Sequence, residues 1–96
     1  MKPLLIIFNA QAGSGQADKS LPEIKDYLQQ CGVAYDLKKT GRPKDVQSLV
    51  TQTDLEQYSA VIAAGGDGTL FEVVNALMRV MPEHRLPLGI LPVGTG

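Results

Sequence analysis

Apolar and polar positions fall in blocks along this chain, and the spacing within the blocks switches between two kinds. Leu4-Leu5-Ile6-Ile7-Phe8 is apolar without interruption, as expected of a strand covered on both faces. Asn9 ends it, and Gly13-Ser14-Gly15 marks a loop. Ser20 and Glu23 then have the spacing of a capping box, which predicts a helix opening at Ser20. Leu21, Ile24, Leu28 and Cys31 share one face of that helix, and Gly32 supplies its left-handed stop. A strand over 34–38 is poorer in apolar residues, which suggests a sheet edge. After Thr40-Gly41, Pro43 suits a first helical turn, with Val46, Leu49 and Val50 as the apolar stripe.

Ala60-Val61-Ile62-Ala63-Ala64 carries no polar side chain and should be central. It runs into Gly65-Gly66-Asp67-Gly68, where Thr69 and Glu72 again predict a capping box. Leu70, Val73, Val74, Leu77, Met78 and Met81 continue that helix as its core-facing side, and Pro82 ends it. A last strand over 88–91 leads to Pro92-Val93-Gly94-Thr95-Gly96. The order βαβαβαβ predicts an α/β fold: three αβα layers around a parallel sheet with right-handed crossovers. The weak second strand and strong third favour the strand order 2-1-3-4.

Composition narrows this picture only a little. Ninety-six residues, 44% of them hydrophobic, are read as one domain over 1–96. A net charge of −1 gives no sign of a nucleic-acid partner. Cys31 is the single cysteine, so no internal disulfide forms; a small buried hydrophobe in a cytoplasmic protein is expected. The apolar run near the start is too short for a signal peptide or a membrane span. Lys38, Lys39, Arg42 and Lys44 cluster near the second strand; a solvated sheet edge is the simpler reading, contact with phosphate or an anionic membrane surface the alternative. His84 falls in a surface loop, and no His/Cys cluster suggests a protein metal site, so any metal should arrive with a ligand.

The candidate chemistry lies in the loops that follow the strands. Parallel sheets of this kind bind ligands outside the carboxyl ends of their strands. Seven of the ten glycines gather on that rim: Gly13, Gly15, Gly65, Gly66, Gly68, Gly94 and Gly96. Purely structural glycines would be spread over both ends. Missing side chains let backbone N–H groups approach phosphate oxygens, and the helix start after Gly65–Thr69 adds partial positive charge. Asp67 is out of place beside phosphates unless it binds Mg²⁺, holds an acceptor hydroxyl or bonds loop amides; pinning its own loop is the alternative. A catalytic or metal-linked role is the reading adopted. Thr69 is expected near phosphate, while Glu72 is equally well explained by capping.

Two other motifs fail. Gly66-Asp67-Gly68-Thr69-Leu70-Phe71 lacks the last glycine of a dinucleotide fingerprint, and Gly13 to Ser20 has Asp18 where a P-loop needs glycine.

Gly65-Gly66-Asp67-Gly68-Thr69 with Glu72 and Asn75 resembles the G-G-D-G-T-x-x-E-x-x-N signature of the diacylglycerol kinase catalytic domain family, which includes bacterial lipid kinases. Asn9 with Gly13, Thr40 after the second strand, and Pro92 to Gly96 follow the family's motif order along nearly the whole chain. The five-residue motif alone is shared with NAD kinases. The resemblance implies an NAD kinase/diacylglycerol kinase-like N-terminal domain. It implies ATP contacted by Thr40, the stretch Gly66 to Glu72 and Thr95; with the reading of the loops, the expected nucleotide-binding set is Asn9, Gly13, Thr40, Gly65, Gly66, Asp67, Gly68, Thr69, Leu70, Phe71, Glu72, Gly94 and Thr95, with Asp67 the catalytic candidate. It further implies Mg²⁺-dependent transfer of the γ-phosphoryl to a lipid hydroxyl. Phe71 and Ala10 depart from the family's usual asparagine and proline.

Members of the family continue into a β-sandwich domain that holds the lipid acceptor. The chain is therefore read as an N-terminal fragment, inactive alone and weak in binding nucleotide. A cytoplasmic protein in transient contact with the inner membrane face is expected, and an uncovered fourth strand could promote self-association. The rival readings are an NAD kinase-type enzyme with a small-molecule acceptor and a non-catalytic nucleotide-binding module.

Overall fold

A computed structural model describes residues 2–9, 16–40, 43–65, 67–80 and 86–92. The elements are β1 (Leu4–Asn9), α1 (Gln16–Gln30), β2 (Tyr35–Thr40), α2 (Pro43–Gln52), a 3₁₀ turn (Leu55–Gln57), β3 (Ala60–Gly65), α3 (Asp67–Val80) and β4 (Leu88–Pro92). All strand pairs are parallel and the sheet order is β2-β1-β3-β4, as the strengths of the strands predict.

β1 is covered on both sides, and its side chains divide by the period of two that a strand imposes. Leu5 and Ile7 point into one core with Val46 and Val50 of α2, Val61 and Ala63 of β3, and Val73 and Ala76 of α3. Ile6 and Phe8 point into the other, with Ile24 and Leu28 of α1 and Ala64 of β3. One helix thus covers one face and two helices the other, which is the three-layer arrangement. Each valine, leucine, isoleucine or phenylalanine buried so completely contributes about 1.5–3 kcal/mol relative to exposure.

Several local expectations are corrected. α1 begins at Gln16, so Ser20 lies inside the helix and does not cap it; Gln16, Ala17 and Lys19 are good helix formers that extend it upstream of the capping-box pattern. Pro22 is consequently an interior proline that removes one backbone bond. The predicted stop at Gly32 is observed: φ is 70°, Gly32 N donates to Gln29 O (3.1 Å) and Val33 N to Leu28 O (3.4 Å), a Schellman pair. Because the helix ends at Gln30, Cys31 falls in the turn and is exposed rather than packed. Met78 is 53% exposed, on the outer side of α3, whereas Val73 on the inner side is fully buried. Gly13, Gly15, Gly41, Arg42, Met81, Pro82, His84 and the stretch 93–96 lie outside the described residues.

The 3₁₀ turn has no counterpart in the sequence reading. Asp54 caps it by accepting from Glu56 N (3.3 Å), and it drives Leu55 into the core beside Tyr58. Tyr58 is buried, and its hydroxyl donates to Asp36 Oδ2 at 2.7 Å, tying the β2 edge to the entry of β3. That bond, then burial and the carboxylate's charge, raises the phenol above its usual value of about 10. Above pH 10 the unfolded chain therefore loses a proton that the folded chain keeps, and stability falls as pH rises toward the folded value; below pH 10 the contribution is complete. Tyr58→Phe is expected to cost about 1–2 kcal/mol at neutral pH and to flatten this alkaline decline. Urea denaturation of both proteins across the alkaline range measures both effects; equal declines would show that the phenol ionises alike in the folded and unfolded chains.

Candidate functional site

The register brings the carboxyl ends of the strands to one level. Asn9 pairs with Thr40, Ala64 with Leu91 and Gly65 with Pro92, while Phe8 pairs with Ala64, one step before Asn9 and Gly65. Thr40, Asn9, Gly65 and Pro92 therefore end the four strands in a row, and α3 starts directly above β3 at Asp67. The backbone N–H groups of a helix's first turn have no intrahelical partners and face this row, which makes it a natural place for an anion.

Each side chain at the row is held from within the fold. Thr40 is 4% exposed and its hydroxyl donates to the Phe8 carbonyl at 3.4 Å, closing the end of β2 onto β1. Thr69 is 5% exposed and accepts a hydrogen bond from Asn9 Nδ2 at 3.0 Å, across 60 residues of sequence. The capping expectation for Thr69 is corrected here: α3 begins at Asp67, so Thr69 is the third residue of the helix and its side chain reaches to β1. Nothing in a one-dimensional pattern signals that bond, because threonine three residues before glutamate fits a helix interior as well as a cap.

Gly65 is required by space. A Cβ there would lie 2.9 Å from Thr69 Cβ and 3.2 Å from its Cγ2, and closer still to Oγ1. The first turn of α3 is thus folded tightly back over the end of β3. Gly68, two residues into the helix, is different: among the described residues a Cβ there would meet nothing within 4 Å, and the residue is exposed.

Of the remaining candidates, Leu70 packs against the core between the sheet and its two helices, and Phe71 is 65% exposed. Glu72 is half-buried, and Asp67 is the first residue of α3. The structure therefore brings Asn9, Thr40, Gly65 and Thr69 together, with Gly68 beside them, and turns the Leu70 side chain inward. Gly13, Gly66, Gly94 and Thr95 lie outside the described residues. Among the described residues no three His, Cys, Asp or Glu side chains converge on a point that could hold a metal ion.

The sequence matches the diacylglycerol kinase catalytic domain over residues 3–96. The chain belongs to this family. A diacylglycerol kinase of Bacillus subtilis (strain 168) is 35% identical over 95 residues, 99% of this chain and 31% of its own length. Human diacylglycerol kinase iota is 35% identical over 96 residues, 100% of this chain and 9% of its own. A crystal structure of a diacylglycerol kinase from Bacillus anthracis str. Sterne gives a TM-score of 0.69 at 30% identity, over 98% of this chain and 32% of its own. A second crystal structure from the same organism gives 0.78 at 31% identity with the same coverage. The chain thus spans about a third of its bacterial relatives and under a tenth of the human one.

The crowding at the family's glycine-rich turn has a measurable consequence. Gly65→Ala is expected to destabilise the fold by about 1–3 kcal/mol, the usual cost of overpacking, because both the strand end and Thr69 are buried. Chemical denaturation tests it, and a variant of wild-type stability would show that the turn opens freely.

Proposed function

We propose that residues 1–96 form the ATP-binding part of a lipid kinase that transfers the γ-phosphoryl group of ATP to a hydroxyl of a diacylglycerol-like lipid. Family membership supplies the reaction class, and one observation ties it to this site. Gly68 stands in the first turn of a helix, where glycine costs up to about 1 kcal/mol relative to alanine. Among the described residues neither its surroundings nor a left-handed φ calls for glycine there. Nothing among the described residues uses the missing side chain, which supports a ligand that approaches the first turn of α3 closely. Phosphate is the group that the free N–H donors and partial positive charge of that turn suit.

In this reading the α3 amides and Thr69 bind and orient the phosphates, and Thr40 and Asn9 hold the strand ends that carry them. Asp67 is the proposed catalytic residue, positioned by its place at the helix start to hold the acceptor hydroxyl or a metal-bound phosphate. Mg²⁺ supplied with ATP would neutralise phosphate charge there, held chiefly by phosphate oxygens with Asp67 as the protein's candidate donor. The match over residues 3–96 favours this assignment over an NAD kinase-type acceptor. The lipid acceptor is proposed to be held by parts of the protein beyond residues 1–96, in a cytoplasmic enzyme that meets the membrane surface transiently. No helix among the described residues is long and apolar enough to cross a membrane.

Titration calorimetry with ATP and Mg²⁺ tests the reading directly. Wild-type 1–96 is expected to bind weakly. Gly68→Ala is expected to gain about 0.5–1 kcal/mol in stability while losing about tenfold or more in ATP affinity, a change of at least ~1.4 kcal/mol. Absence of ATP binding by the wild type, or unchanged affinity in Gly68→Ala, would refute the assignment. Residues 1–96 alone are expected to transfer no phosphate to diacylglycerol, which a labelled-ATP assay decides.

A further inference from the structure

The bond between Asn9 and Thr69 has a direction, and the direction matters for an anion. Two other threonines, Thr51 at the end of α2 and Thr53 just beyond it, donate their hydroxyl hydrogens to the carbonyls four residues back, Gln47 at 2.8 Å and Leu49 at 2.6 Å. That is the usual local habit of helical threonine. Thr69 differs. Its oxygen is an acceptor, occupied by the amide of Asn9 at 3.0 Å.

A hydroxyl has one hydrogen and two lone pairs. With one lone pair taken by an N–H donor, its hydrogen cannot point toward Asn9. The donor capacity of Thr69 is thereby turned away from Asn9, and among the described residues no acceptor takes it.

We propose that Asn9 is a positioning residue: by donating to Thr69 Oγ1 it aims the Thr69 hydroxyl hydrogen at a phosphate oxygen of the nucleotide. The proposal rests on the phosphate reading of the site given above. It assigns Asn9 a role distinct from direct nucleotide contact, because its effect passes through Thr69. The 60-residue separation of the two positions also makes the bond a link between β1 and the α3 turn, so that the donor is set only when the sheet is assembled.

Calorimetric titration of ATP with Mg²⁺ into single and double variants tests it, with thermal melts to confirm folding. Thr69→Val should lower affinity about tenfold, the size of one charge-assisted hydrogen bond, and Thr69→Ser should rescue it to within about twofold. Asn9→Ala should cost about threefold, because the hydroxyl is no longer aimed. Asn9→Asp should cost about tenfold or more, because a carboxylate only accepts and draws the Thr69 hydrogen to itself. In the Thr69→Val background either change at Asn9 should cost less than about twofold, since nothing remains to be aimed. Asn9→Ser serves in place of Asn9→Ala should the latter not fold.

Wild-type affinity in Asn9→Asp would overturn the proposed direction. A loss at Asn9 that persists undiminished in the Thr69→Val background would show Asn9 meeting the phosphate itself, and would overturn the positioning role while leaving the phosphate reading intact. Absence of ATP binding by the wild type would refute both.

Discussion

The burial of β1 on both faces is the constraint from which the remaining arrangement follows. Leu5, Ile6, Ile7 and Phe8 are each at most 1% exposed, so neither side of the strand can be left to water. A strand with that demand must lie inside the sheet, with helices above and below it. Right-handed crossovers then send α1 to one face and α2 and α3 to the other. Parallel pairing in a fixed register makes the carboxyl ends coincide, and only there do Asn9, Thr40 and the β3–α3 turn meet. The site is thus a consequence of a hydrophobic requirement several residues away from it.

The two sheet edges bear that requirement unequally. β2 exposes Asp36, Lys38 and Lys39, the kind of charged edge that discourages pairing with another chain. β4 instead exposes Leu88 at 37% and Ile90 at 48%. The weak apolar content that marked β2 as an edge in the sequence is therefore also what protects it, whereas β4, expected from the sequence to be uncovered, lacks these charges on its exposed positions.

Architecture was legible in the sequence because it depends on long-period features. Unbroken apolar runs at β1 and β3, the polar second strand and the glycine-rich strand ends are each visible along the chain, and together they yield the strand order. Boundaries and individual side chains were less legible. Ser20 and Thr69 stand three residues before glutamates, a spacing that a helix interior tolerates as readily as a cap, so both helices begin earlier than the pattern indicates. Cys31 and Met78 obey helical spacing yet are exposed, because periodicity specifies a direction around an axis and says nothing about where the covering layer stops. The turn at Leu55–Gln57 is too short to have a period at all. The Asn9–Thr69 bond is invisible for a different reason: it joins residues whose proximity exists only after β1 and β3 have paired.

The glycines show how far such reasoning separates fold from function. Gly32 is explained by a left-handed φ of 70° in the turn after α1, and Gly65 by the threonine packed against it. Both would be needed in a protein of this shape whatever it did. Gly68 meets neither condition, and among the described residues no contact offsets its cost in a helix. A family motif treats Gly65 and Gly68 alike, as letters of one signature, yet the physical account divides them: one keeps the turn closed, the other keeps space beside it open. It is the second kind of glycine, which no described neighbour requires, that carries information about a ligand.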